Sequence, residues 1–78
     1  MSAEAEKIIV DVTGETCPIP LVEMRKAIMR ARPGQLIEVK GTHSASKKEI
    51  PMALESLGKK IVKIHDSNNG VWHIEFRN

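Results

Sequence analysis

The chain has a single cysteine, Cys17, no tyrosine, and only two aromatic residues, Trp72 and Phe76. One thiol excludes an internal disulfide, and it suits a reducing compartment, so a cytoplasmic location is expected. Dithiol chemistry of the C-x-x-C kind is excluded too, because Pro20 stands where the second cysteine would fall. With so few aromatics there is no platform on which bases would stack, and a net charge of +2 is too weak to argue for nucleic acid by itself. No apolar run approaches the ~20 residues that span a bilayer. The segment Met1 to Lys7 has neither the charge pattern nor the apolar stretch of a signal peptide. No repeat, linker or low-complexity tract interrupts the sequence. A chain of 78 residues is expected to form one domain over 1–78, with 1–6 a disordered tail and a thin core of Ile, Val, Leu, Met and Ala.

The residues that are present fall into regular patterns. Lys7 to Val12 alternates as a strand, with Ile8, Val10 and Val12 on one face and Ile9 and Asp11 on the other. Thr13-Gly14-Glu15-Thr16 is a turn. The spacing of Leu21, Met24, Ala27, Ile28 and Ala31 predicts a helix from Pro18 to about Ala31, stopped by Pro33-Gly34, with Glu23, Lys26 and Arg30 on its far side. A second strand over Leu36 to Lys40 should bury Ile37 and Val39. Ser46 with Glu49 three positions later is a capping-box pattern, so the second helix is expected to start at Ser46 and to stop at Gly58. Pro51 then calls for a separate first turn or a kink. The end reads as a hairpin, Ile61 to Asp66 and Val71 to Arg77 around Ser67-Asn68-Asn69-Gly70. Trp72, Ile74 and Phe76 should meet Val62 and Ile64 on the buried side, with Lys63 facing Glu75 and His65 facing His73 outside. The order βαβαββ, with right-handed crossovers, gives an α/β two-layer sandwich: a four-stranded mixed sheet with both helices on one face. The other face stays in water, which accounts for the charged outer positions Lys7, Asp11, Glu38, Lys40, Lys63 and Glu75.

Cys17 falls between the first strand and the first helix. Pro18 lacks an N–H and fixes φ, which suits the first helical position and places Cys17 at or beside the N-cap. Free N–H groups and the positive end of the helix dipole favour a thiolate there, and the thiolate is the reactive form. Parallel strands deliver their following loops to one edge, so Gly41 to Ser46 opens beside Cys17, and His43, Lys47 and Lys48 are candidates to add positive potential. Each residue also has a plainer reading. His43 is a polar loop residue or a tuner of the thiol, Lys47 and Lys48 are a solvated helix face or a docking site, and Arg25 and Lys26 keep the first helix soluble or touch a partner. Met24, Met29 and Met52 read as fillers. His65 and His73 offer two imidazoles, short of the three or four ligands zinc takes, so no metal site is expected. Cysteine hydrolase chemistry is disfavoured because nothing clearly orients His43 as a base and there is no room for a deep cleft. One activated sulfur is left to carry something or to be modified.

The run Asp11-Val12-Thr13-Gly14-Glu15-Thr16-Cys17-Pro18-Ile19-Pro20 resembles the D-x-x-G-x-x-C-P-x-P motif of the TusA/SirA family of small sulfur carriers. Leu21, Arg25-Lys26 and Glu49-Ile50-Pro51 extend the likeness, which covers about Ile8 to Arg77. The resemblance implies the strand order one-two-four-three. It implies sulfur held as a persulfide on Cys17, taken from a cysteine desulfurase or rhodanese-like donor and passed to an acceptor protein, with no cofactor. Uses in the family include tRNA thiolation, sulfur oxidation and supply to molybdenum-cofactor pathways. On this reading Gly14 permits the bend, Asp11 belongs to the motif, and Pro18 and Pro20 fix the exit of Cys17 from the turn. The protein is then a carrier rather than a stand-alone enzyme. The chain departs from the family where His43-Ser44 replaces an acidic residue followed by proline, which bears on partner choice. A single-thiol redox or regulatory module is the alternative, and a small RNA-binding domain a more distant one. Neither a membrane nor direct nucleic-acid binding is expected.

Overall fold

The computed structural model describes residues 7–16, 18–67 and 69–78. The tail expected at 1–6, the position of Cys17, and Asn68 of the hairpin turn lie outside the described residues. The elements are β1 (Lys7–Val12), α1 (Ile19–Arg30), β2 (Leu36–Gly41), α2 (Ser44–Ser56), β3 (Lys60–Asp66) and β4 (Trp72–Arg77). They form a four-stranded sheet in the order β1-β2-β4-β3. β1 runs parallel to β2, while β4 is antiparallel to both β2 and β3.

Strand alternation sorts the side chains into two faces. Val10, Val12, Ile37, Val39, Trp72, Ile74 and Phe76 point to the helices and are buried with Met24 and Ala27 of α1 and Ile50 and Leu54 of α2. Burial of each large side chain in this group contributes about 1.5–3 kcal/mol. On the open face, Lys7 Nζ bonds Glu38 at 2.8 Å and Glu75 at 3.1 Å, drawing β1, β2 and β4 together. His73 Nδ1 lies 2.8 Å from the second oxygen of Glu38, and the rings of His65 and His73 stack with centroids 4.5 Å apart. Hydrogen bonds from Lys7 and then His73 hold the Glu38 carboxyl below its ordinary value against the opposing effect of burial. The bonds that Lys7 donates to Glu38 and then to Glu75 raise its own value.

Both helices close cleanly. Past α1 the chain turns extended at Ala31, and the Asn78 side-chain amide donates to the carbonyls of Ile28, Ala31 and Arg32, satisfying groups the helix end leaves open. At the end of α2, Gly58 adopts φ +74° and its N–H bonds Glu55 O, while Lys59 N–H bonds Leu54 O, the paired bonds of a Schellman stop.

Three expectations need correction, and the alternatives at Pro51 are narrowed. Pro18 is the N-cap residue of α1 rather than its first helical residue, and Pro20 occupies the first turn. α2 begins at Ser44 with His43 as its N-cap and no side-chain capping bond. The capping-box serine, Ser46, lies inside the first turn and is fully buried. Pro51 sits within one continuous helix, so the first turn is not separate. Finally, Val62 is 50% exposed and Ile64 is 44% exposed. A register shift between Ile61 and Lys63 takes Val62 out of the alternation, and it is Ile61, opposite Phe76, that packs against the core. Ile64 keeps its predicted pairing with Ile74, but on an edge strand it is only partly covered. The pairs Lys63–Glu75 and His65–His73 stand as the sequence suggests.

Candidate functional site

The parallel pairing of β1 and β2 brings their following loops, Thr13–Thr16 and Thr42–His43, to the same end of the sheet. The first loop is built from its own short side chains. Asp11 Oδ1 accepts from the Thr13 hydroxyl at 2.7 Å and from Thr13 N–H at 3.1 Å. These bonds, the hydroxyl's first, hold the Asp11 carboxyl below its ordinary value. Glu15 N–H bonds Val12 O at 3.0 Å, and Gly14 between them takes φ +82°, where a side chain would be strained. Ile19 N–H then bonds Thr16 O at 2.9 Å. Asp11 and Gly14 thus both shape the Thr13–Thr16 turn.

The second loop is fastened to the first. Gly14 N–H donates to Thr42 Oγ1 at 2.9 Å. His43 Nδ1 lies 2.9 Å from the Ser46 hydroxyl, and the Trp72 indole N–H donates to His43 O at 3.0 Å. Trp72 reaches that carbonyl because its register partner is Gly41. A Cβ on Gly41 would stand 2.8 Å and 2.9 Å from indole carbons and 3.0 Å from Val12 Cγ2. The indole therefore lies across the base of both loops.

The predicted cations do not act alike. Lys47 Nζ is engaged by Asp66 at 2.6 Å, so its charge is shared with β3 rather than offered to the loops. Lys48 is exposed on α2, and His43 is half-buried by its contact with Ser46. Lys26 pairs with Glu23 at 3.5 Å on the exposed side of α1. Arg25 lines a shallow cleft of about 310 Å³ with Ile28, Met29 and Leu57, between the far ends of the two helices. Next to the first loop, Pro18 is exposed, Ile19 and Val22 are also exposed, and Pro20 is buried. Among the described residues no group of three or more His, Cys, Asp or Glu side chains is arranged to hold a metal ion. No helix among them is long and apolar enough to cross a membrane.

Sequence reasoning brought the Gly41–Ser46 loop to this end of the molecule but missed the bonds of Thr42 and Ser46 and the packing of Trp72 on Gly41. The available signal was the lone tryptophan, which the pairing of β4 with β2 sets opposite a strand-end glycine.

These features define a small two-layer α/β protein with a braced loop at the C-terminal edge of its parallel strands. Residues 8–78 match the family model described as sulfurtransferase TusA. A "Putative sulfur carrier protein" of Thermotoga maritima is 36% identical over 64 residues, covering 82% of this chain and 81% of the relative. One of the same description from Archaeoglobus fulgidus is 31% identical over 67 residues, covering 86% and 90%. The crystal structure of a SirA-like protein from Desulfitobacterium hafniense superposes with a TM-score of 0.80 at 24% identity, over 90% of this chain and 95% of that one, and shares the fold. The chain belongs to the TusA family of sulfur carriers.

Proposed function

We propose that Cys17 carries sulfur as a persulfide between a donor and an acceptor protein. The thiolate attacks the terminal sulfur of a donor persulfide, the donor's S–S bond breaks, and the donor sulfur leaves as a thiolate. Cys17 is left holding one extra sulfur, which a nucleophile on the acceptor removes in the second half-reaction. The donor is of cysteine desulfurase or rhodanese type, and rate enhancement belongs mostly to the two partners. The observation that carries this reading is the family match across 8–78 in a chain with one cysteine.

Three features of the surroundings support it. The short bonds from Asp11 and Thr42 fix the loop without covering it. Pro18 at the N-cap puts the amide-rich end of α1 next to position 17 in the chain, where an anion is favoured. Ile19 and Val22 give a partner apolar surface beside the loop, with Arg25 and Lys26 further along α1 as polar contacts. His43 and Lys48 are the polar side chains we assign to partner choice on the second loop and α2. Lys47 enters that role only if a partner displaces Asp66.

Intact-protein mass spectrometry after incubation with a cysteine desulfurase and cysteine tests the reading. A reductant-labile gain of one sulfur atom is expected in the wild type and not in Cys17→Ser. Failure with desulfurase, rhodanese and polysulfide donors alike would turn the assignment toward a thiol that is oxidised or capped for regulation.

A further inference from the structure

The two edges of the sheet, β1 and β3, are built differently. β3 carries the irregularity between Ile61 and Lys63 and the lysines Lys60 and Lys63, features that keep an exposed edge from pairing. β1 has none of these guards. Its register against β2 runs unbroken from Lys7 to Val12, and it contains no proline. Its one lysine is folded inward over the sheet onto Glu38 and Glu75. Ile9, in the middle of β1, is 55% exposed on an otherwise charged face.

We propose that β1 pairs antiparallel with β1 of a second copy of this chain, about a two-fold axis at Ile9, so that the two four-stranded sheets become one. Residues opposite each other across such a pair must project to the same face, so the axis has to pass through a residue position. An axis at Lys7 or Asp11 sets like charges against each other, which is unfavourable. An axis at Ile8 or Val10 sets Ile9 against a charged residue. With the axis at Ile9, Ile9 meets Ile9 on the open face, Ile8 meets Val10 on the helix face, and Lys7 meets Asp11 at both ends. Lys7 keeps its bonds to Glu38 and Glu75, so the pairing asks only that opposite charges stand side by side, with Asp11 54% exposed and its contact with Lys40 long, at 3.9 Å. The interface is isologous and closes at two copies, because the guarded β3 edges cannot extend it. The Thr13–Thr16 loops leave the ends of antiparallel strands, so they lie at opposite ends of the dimer.

Sedimentation equilibrium of the full, reduced chain from about 10 µM to about 1 mM tests this. The mass is expected to rise reversibly from the 8.7 kDa of one chain toward twice that value. Ile9→Lys, which sets two lysines together on the axis, should move dimerisation to at least about tenfold higher concentration while leaving the circular dichroism unchanged. Met29→Lys, at a helix position 85% exposed, should leave dimerisation alone. In a Cys17→Ser background, Ile9→Cys should cross-link under mild oxidation and Met29→Cys should not. A mass of one chain at every concentration overturns the proposal. So does a dimer indifferent to Ile9→Lys, which would place the interface on the helices, or one in which Ile9→Cys fails to cross-link.

Discussion

Gly41→Ala is the most informative single change, because one methyl group probes the brace beneath both loops. The added carbon would meet two indole carbons and a Val12 methyl, all within 3.0 Å. None of these is the free end of a flexible side chain, since Trp72 and Val12 are each only 2% exposed. Overpacking of this kind costs typically about 1–3 kcal/mol. Displacing the indole also loses its bond to His43 O, a net effect of about 1 kcal/mol. Replacing glycine in a strand returns about 0.5–1 kcal/mol through the unfolded chain. The expected loss is therefore about 2 kcal/mol, or about 8–16 °C in Tm for a domain of this size. Thermal and urea unfolding followed by circular dichroism measure it in wild type, Gly41→Ala, Trp72→Phe and the double variant. The smaller ring should relieve most of the clash, so alanine at 41 should cost under about 0.5 kcal/mol in the Trp72→Phe background. A neutral Gly41→Ala in the wild type, or an equal cost in both backgrounds, would refute the brace.

Other outcomes rest on the same geometry. Thr42→Val removes the acceptor for Gly14 N–H; it should cost about 1 kcal/mol or less in stability but slow sulfur loading of Cys17 measurably, as rates of persulfide formation would show. Glu38 has a lowered carboxyl, so its contribution is present above the ordinary carboxylate range and is lost as pH falls through its folded-state value. Glu38→Gln should therefore flatten the acid limb of a stability–pH profile, by under about 1 kcal/mol because the site borders solvent. Val62→Thr should change stability by less than about 0.5 kcal/mol, whereas Phe76→Ala should cost about 3–5 kcal/mol, a contrast that denaturant titrations resolve. Pro51→Ala should stabilise α2 by about 1 kcal/mol, since it restores an N–H where the helix lacks one.

The elements and their order are legible in the sequence because periodicity and the hairpin turn are local signals. Ile8, Val10 and Val12 mark the inner face of β1 by alternation alone, and the cross-strand charges at Lys63 and Glu75 set the hairpin register. Val62 escapes such reading because a bulge depends on how two strands meet, and a single extra residue reverses the faces of the residues beyond it. The start of α2 escapes it because Ser46 has the chemistry of a cap but the environment of a core residue, fully buried and bonded to His43. Around position 17, the turn glycine and prolines announce the loop. The clasp from Thr42 and the indole under His43 connect residues far apart in sequence, and no local pattern encodes them.

β4 is the last strand in the chain yet lies between β2 and β3, and it supplies Trp72. Folding must therefore leave a gap beside β2 until the strand that follows β3 docks there, so contacts of long sequence separation close the structure. A chain still lacking β4 has the thiol segment and both helices but neither the sheet centre nor the indole beneath the loops. Docking of β4 thus acts as a timing control: the loops at this end of the sheet gain the indole beneath them only once the strand that follows β3 is in place.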